Sequence, residues 1–411
     1  MKSCRNTSVM ALSILLISGV GMAADWAQWR GPKRDGLSTE TGLLKQWPAE
    51  GPKLAWKATG LGAGFSTVSV AGDRIFTAGD IGDSSYLIAL SRADGKVLWK
   101  TKLGQPGGGP AGPRGTPSVD DNLVFTLGQH GDMVCAEAAG GKEVWRKNLA
   151  KDFGGQCGGW QYSESPLVDG ERLICTPGGN KGTLMAFNKK TGEVLWRCSG
   201  WTDSAEYSSA IVETVGGVRQ YIQFTGNSVA GVAADSGKLL WRADRPGRTA
   251  MVPTPIYSDN QVFVTSGYGV GCNLFKITAD GGQFKTEQVY ANTNMVNHHG
   301  GVILVGQHLY GYSDGKGWIC QDFKSGEILW KNPGVGKGAI AYADGHLYLR
   351  SEGSSGTVAL IEATPEAYKE TGRFDQPDRS KSESWAHPVI AGGRLYLRDQ
   401  DLLLCYDIAA K

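Results

Sequence analysis

Apolar residues alternate with polar ones in short runs along this chain, and the runs stop at Gly, Asp or Asn. Residues 163 to 197 show the pattern most clearly. Ser165-Pro166-Leu167-Val168 turns back at Gly170, and Leu173-Ile174-Cys175-Thr176 turns at Gly178-Gly179. Leu184-Met185-Ala186-Phe187 then turns at Thr191-Gly192, and Val194-Leu195-Trp196 completes the unit. Alternation bounded by turn residues predicts four antiparallel strands joined by hairpins. Glycine at the last hairpin supplies a positive φ that a side chain would oppose.

The unit recurs. Gly95/Trp99/Lys100, Gly141/Trp145/Arg146, Gly192/Trp196/Arg197, Gly237/Trp241/Arg242 and Gly326/Trp330/Lys331 repeat one phrase, with a doubled gap between Trp241 and Trp330. A period of roughly 45 to 50 residues with strand-like flanks predicts a propeller or solenoid, whose units share one continuous core. Two worn copies keep another aromatic: Leu274-Phe275-Lys276-Ile277 leads to Tyr290, and Val358-Ala359-Leu360-Ile361 leads to Phe374. Trp56-Lys57 supplies one more outer strand, while the last three strands, around 386 to 408, lack a fourth. The expectation is an all-β, eight-bladed propeller over residues 51–411, closed when the first strand joins the last three. The tryptophans would pack between neighbouring blades, and the basic residue after each would discourage edge-to-edge association.

Ahead of the propeller, residues 1–23 have the form of an export signal: Lys2 and Arg5, the apolar run from Met10 to Val20, and the small-residue site Gly21-Met22-Ala23. That run is too short to span a bilayer, and no later one is long enough. The expected product is exported, to the periplasm or the outer surface, without a transmembrane span and monomeric. Residues 24–50, which include Trp26, Trp29 and Arg30, are expected to clamp onto the propeller. The 42 basic residues nearly balance the 40 acidic ones, which argues against nucleic acid as a partner. The 60 glycines, without a collagen period, signify many tight turns. Cys135, Cys320 and Cys405 occupy one repeat position and read as buried hydrophobes. Cys157, Cys175, Cys198 and Cys272 leave a bridge open in an oxidising compartment, with its pairing undetermined.

The phrase Asp/Ser-x-x-Thr/Asp-Gly-Lys/Glu-x-Leu-Trp is similar to the tryptophan-docking repeat of the quinoprotein alcohol dehydrogenase-like superfamily. The segment Asp25-Trp26-Ala27-Gln28-Trp29-Arg30-Gly31-Pro32 resembles the start of exported PQQ-like repeat proteins of planctomycete-type bacteria. The likeness extends over nearly the whole chain after residue 23 and implies the fold. For function it implies two classes, PQQ-dependent dehydrogenases and non-catalytic scaffolds such as the outer-membrane assembly factor BamB.

A propeller's ligand site lies near its axis, on loops entering the innermost strands. Residues at or beside that phase, and so candidate ligand contacts, are Arg114, Trp160, Tyr162, Glu164, Glu206, Tyr207, Arg248, His298, His299, Lys337, Trp385 and His387. The next column, Thr67, Thr116, Ser165, Ser209 and Thr254, is expected to serve inner-strand backbone groups. The resemblance to methanol-oxidising PQQ enzymes implies a carboxylate-rich calcium site, a catalytic Asp, and an adjacent-cysteine disulfide over the quinone. Here the phase-matched carboxylates are only Glu164 and Glu206, and no two cysteines are adjacent. His298 and His299, on an extended segment, would face opposite sides and chelate no metal. Gly107 to Arg114 and Gly154 to Trp160 read as inter-blade loops, without the ending of a phosphate loop; Trp160 and Tyr162 could close over a ligand. The polar stretch Glu366 to Asp378 reads as solvated. The favoured reading assigns no catalytic residue, metal or cofactor. It is a scaffold binding a protein, peptide or glycan of the cell envelope, and its alternative is a PQQ- and calcium-dependent oxidoreductase acting on an alcohol or sugar.

Overall fold

The computed structural model describes residues 25–410, so the expected signal at 1–23 lies outside the described residues. Eight antiparallel sheets, each with four strands of the propeller, follow one another around an axis. Blades 1 to 7 occupy 69–104, 118–148, 167–197, 211–244, 256–292, 302–332 and 338–374. Blade 8 takes Val389–Ile390, Arg394–Asp399 and Leu402–Asp407 from the end of the chain and Lys53–Ala58 from near its start. In that sheet Trp56 pairs with Cys405 and Lys57 with Leu404, the closure expected from the repeats. Closing the ring shortens and protects the free edges that an open sheet would leave.

Tryptophan and glycine do one job together. In four blades the indole lies on the hairpin glycine of the next: Trp56 on Gly95, Trp99 on Gly141, Trp145 on Gly192, and Trp196 on Gly237. These glycines have φ between 70° and 73°, and a Cβ at Gly192 would stand 2.8 Å from the Trp145 ring. Glycine is therefore required twice over, for the turn and for the approach of the ring. Each indole N–H also donates across the seam, as from Trp145 to the Lys189 carbonyl at 2.9 Å and from Trp196 to Ala234 at 3.1 Å. The worn copies keep the device: Tyr290 covers Gly326 and donates its hydroxyl to Phe323, and Phe374 covers Gly51. Trp241 departs from it, donating within its own blade to Gln220 at 2.7 Å. The next blade's hairpin there is long, formed by Gly271–Asp280 and Gln283–Asn292.

Two buried arginines staple the ring where it closes. Arg350 donates from blade 7 to the Ala386 and Arg398 carbonyls, and Arg398 donates from blade 8 to Thr77 and to the Ala78 carbonyl of blade 1. Cys135, Cys320 and Cys405 are buried on third strands, as expected. All seven cysteines among the described residues are unbridged, so the bridge left open for Cys157, Cys175, Cys198 and Cys272 does not form. Glu366 to Asp378 is not simply solvated. It carries blade 7's outer strand, Glu370–Phe374, and buries Phe374 and Gln376. No helix among the described residues is long and apolar enough to cross a membrane.

Candidate functional site

Residues 25–38 run across one end of the central channel. Trp26 exchanges two backbone hydrogen bonds with Val70 of blade 1, and Ala27 accepts from Val119 of blade 2. Arg34 donates to the Ser165 carbonyl before blade 3 at 2.7 Å, Trp29 to Thr254 before blade 5 at 2.9 Å, and Arg30 to Val302 of blade 6 at 2.6 Å. Leu37–Ser38 then pairs in parallel with Tyr342 and Ala343 of blade 7. The segment thus bonds to inner strands, or the residues leading into them, all round the axis. Arg30 and Arg34 are buried there, and desolvation lowers each guanidinium to about 10.

Above this plug lies a cavity of about 250 Å³, at the mouth where the chain enters the inner strands. Its wall is a chain of rings in contact. Phe65 stacks on Trp385 at 4.3 Å, Trp385 meets His299 at 5.3 Å, and His299 meets His298 at 4.8 Å. Tyr268 stands edge-on to His298 at 5.1 Å, and Trp160 joins Tyr268 to Tyr207. Trp29 forms part of the floor, 4.6 Å from His387.

Seven of the residues expected from sequence meet here: Arg114, Trp160, Tyr207, His298, His299, Trp385 and His387. Five do not. Tyr162 is buried behind the wall, donating its hydroxyl to the Pro177 carbonyl; its neighbour Ser163 faces the cavity instead. Glu164 is buried and accepts from the Thr176 N–H and hydroxyl. Glu206 is half-buried, its carboxylate beside Gly158 and Gly226, and is not among the lining residues. Alternation along extended chain sends one residue of each pair inward and the other outward. Arg248 is exposed on the loop before blade 5. Lys337 reaches His298 from outside, donating to Nδ1 at 2.9 Å while pairing with Asp314 at 3.0 Å.

The two adjacent histidines correct an expectation: their segment is bent rather than extended, so both rings line the cavity. Pro110, Tyr268 and Trp29 were missed, because they come from an inter-blade loop, a turn within blade 5 and the N-terminal segment, which carry no repeat phase. The loop at Gly107 to Arg114 is a wall of the site, held by Gln129 and Asp80 through Gly107. The Ser/Thr column behaves as expected in part: Ser165 accepts from the Thr116 N–H and Ser209 from the Ser165 N–H, both at 2.9 Å, whereas Thr254 accepts from the Trp29 indole and the Thr116 hydroxyl has no partner among the described residues.

Burial sets the charge. Desolvation lowers His298 to about 4, aided by Lys337, and His387 to about 3, aided by Arg30; His299 falls well below its ordinary value. All three imidazoles are neutral at neutral pH, and their tautomers follow from their partners. His299 Nε2 donates to Glu352 at 2.8 Å, leaving Nδ1 a lone pair, whereas Lys337 fixes His298 with its proton on Nε2. Arg114 is the one cation among the lining residues, and no carboxylate lines the cavity. Desolvation raises Glu164 and Glu206 to about 7, outside the wall.

A calcium-assisted quinone does not fit these residues. Calcium takes six to eight oxygens, several of them carboxylates. Here Glu164 is committed to Thr176 and Glu352 to His299. No cluster of three His, Cys, Asp or Glu able to hold a metal occurs among the described residues.

The profile of the family described as outer membrane protein assembly factor BamB matches residues 41–114 and 83–332. The chain is 25% identical over 197 residues to the assembly factor BamB of Kangiella koreensis, covering 44% of each. It is 22% identical over 249 residues to that of Shewanella oneidensis, covering 57% of this chain and 60% of the other. It therefore spans about half the length of the curated relatives it matches. Among solved structures, the quinohemoprotein alcohol dehydrogenase of Comamonas testosteroni superposes with a TM-score of 0.66 at 12% identity, covering 94% of this chain and 81% of that one. At that identity the likeness is one of fold.

Proposed function

Because the chain belongs to the family described as outer membrane protein assembly factor BamB, we propose that it is a non-catalytic propeller of the cell envelope that binds another protein at its axial mouth. The observation that carries this reading is the cavity itself, a concave, ring-lined pocket with few polar groups on a rigid support. Such pockets are the usual form of a binding site, and aromatic anchors dominate binding energy where proteins meet. Its imidazoles are neutral, and each is held by a structural partner through one ring nitrogen. An envelope location agrees with the export signal expected at residues 1–23.

The test places a photo-cross-linking residue at Tyr268, which lines the cavity and is 44% exposed, and a second at the exposed hairpin residue Lys190. The proposal expects an adduct with an outer-membrane protein or one of its assembly components from position 268 and not from position 190, identified by mass spectrometry. Equal labelling from both would refute it. So would a bound-quinone spectrum with dye-linked alcohol oxidation after adding PQQ and calcium.

A further inference from the structure

Two polar atoms on residues of the cavity wall have no partner. One is Arg114 Nη1; the other is Nδ1 of His299, a residue only 9% exposed. Both residues line the cavity, and buried polar atoms in native proteins are nearly always hydrogen-bonded, so a ligand offering an acceptor to Arg114 and a donor to His299 would complete them. Arg114 Nη2 already donates to the Pro110 carbonyl, which fixes the guanidinium. The nearby Asp80 is occupied by the Gly107 N–H at 2.7 Å and by Ser85. Asp80 acts on Arg114 only through space, with no ion pair between them, so the guanidinium can still take an anion. His299 donates through Nε2 to Glu352, so its Nδ1 can only accept. The rest of the wall is ring faces.

Size narrows the choice. A dry cavity of about 150 Å³ holds benzene, so about 250 Å³ holds one ring with small substituents. We propose that the axial cavity binds a single aromatic ring bearing one carboxylate and one hydrogen-bond donor, the carboxylate on Arg114 and the donor on His299. The proposal rests on the axial mouth being the binding site and names what enters it. The same chemistry is offered by a free hydroxyaryl acid and by the C-terminal tyrosine of a protein.

Calorimetric titration of the purified chain with 4-hydroxyphenylacetate and with the tripeptide Ala-Ala-Tyr tests both sources. Saturable binding of either supports the assignment, and the tighter of the two identifies the source. The corresponding amides should bind about 10- to 100-fold more weakly, because a charge-assisted hydrogen bond is lost. Arg114→Gln should weaken the acids by a similar factor and leave the amides unchanged. Phenylacetate should bind about 5- to 10-fold more weakly than its hydroxylated form to the unaltered protein, and His299→Phe should abolish that difference. Phenylacetate reads the His299 contact even if that variant fails to fold. The assignment falls if neither acid saturates a folded sample, if acid and amide bind alike, or if Arg114→Gln changes nothing. Failure of all the probes alongside a specific adduct from position 268 would refute the ligand class alone. Binding of the free acid with no protein adduct would refute the protein-binding reading alone.

Discussion

Alanine at Gly192 and alanine at Trp145 should each destabilise the propeller, yet the pair should lose less than the sum. Trp145 is 8% exposed, lies on Gly192 and donates to Lys189 at 2.9 Å. Removing a buried tryptophan costs about 3–5 kcal/mol. Gly192 has φ of 70°, where a side chain costs about 1–2 kcal/mol, and its Cβ would stand 2.8 Å from the indole, adding about 1–3 kcal/mol of overpacking. Once the indole is gone the overpacking vanishes and only the backbone strain remains. The double mutant should therefore show a coupling of about 1–3 kcal/mol. Trp145→Phe, which keeps the ring and loses the N–H, should cost about 1–2 kcal/mol. Urea unfolding of the wild type, the three single variants and the double variant, with unchanged m-values, measures all of this. Additivity within about 0.5 kcal/mol would show that ring and glycine act independently, and the account of the blade seam would be wrong.

Arg398→Met removes the donor that joins blade 8 to the Ala78 carbonyl at 2.6 Å. It should cost about 2–4 kcal/mol in a thermal or urea melt, with amide protection lost first in Arg74–Ile81; uniform loss of protection would argue against a seam. Glu164 and Glu206 are both raised to about 7 by burial, so the folded state holds their protons more tightly than the unfolded chain. The stability this contributes is present below about 4.5 and is lost as pH rises to about 7. Glu164→Gln should remove one proton's share of that slope and leave the share of Glu206; identical slopes would refute the assignment. Arg34→Ala strips the donors from the Ser165 and Pro166 carbonyls. It should open residues 25–36 to trypsin at Lys33 while circular dichroism of the ring persists, and resistance equal to wild type would show that the plug does not depend on this arginine.

Much of the architecture could be read from residues because the blade is a local device. Hairpin glycine, docking aromatic and apolar alternation recur at fixed offsets, so Trp56 could be assigned to the incomplete final blade without coordinates. Tyr290 and Phe374 remained recognisable because a ring of comparable size fills the same seam. The cavity was legible only where it draws on that rhythm. Phase alone selected Arg114, Tyr207 and Trp385, which line the cavity, and also Tyr162 and Glu164, which do not, since a column number does not say which way a side chain points. Trp29 and Tyr268 carry no phase: one arrives from the crossing segment and the other from a turn. The bend at His298-His299 depends on Asn297, whose side chain binds the backbone of Gly301 and Tyr312, a contact formed only after the blade has folded.

The strand that seals the ring, Lys53–Ala58, is made long before its partner, Leu402–Asp407. During synthesis or export from the N-terminus, residues 53–58 must wait, with their ladder hydrogen bonds unmade, until some 350 further residues have emerged. The crossing segment just before them waits likewise for blades 5, 6 and 7. Ring completion is thus a late, long-range event, the kind of contact that folds slowly and leaves a sticky edge exposed meanwhile. Newly made chains are consequently at greatest risk of pairing with one another through that waiting strand, before the mature surface exists.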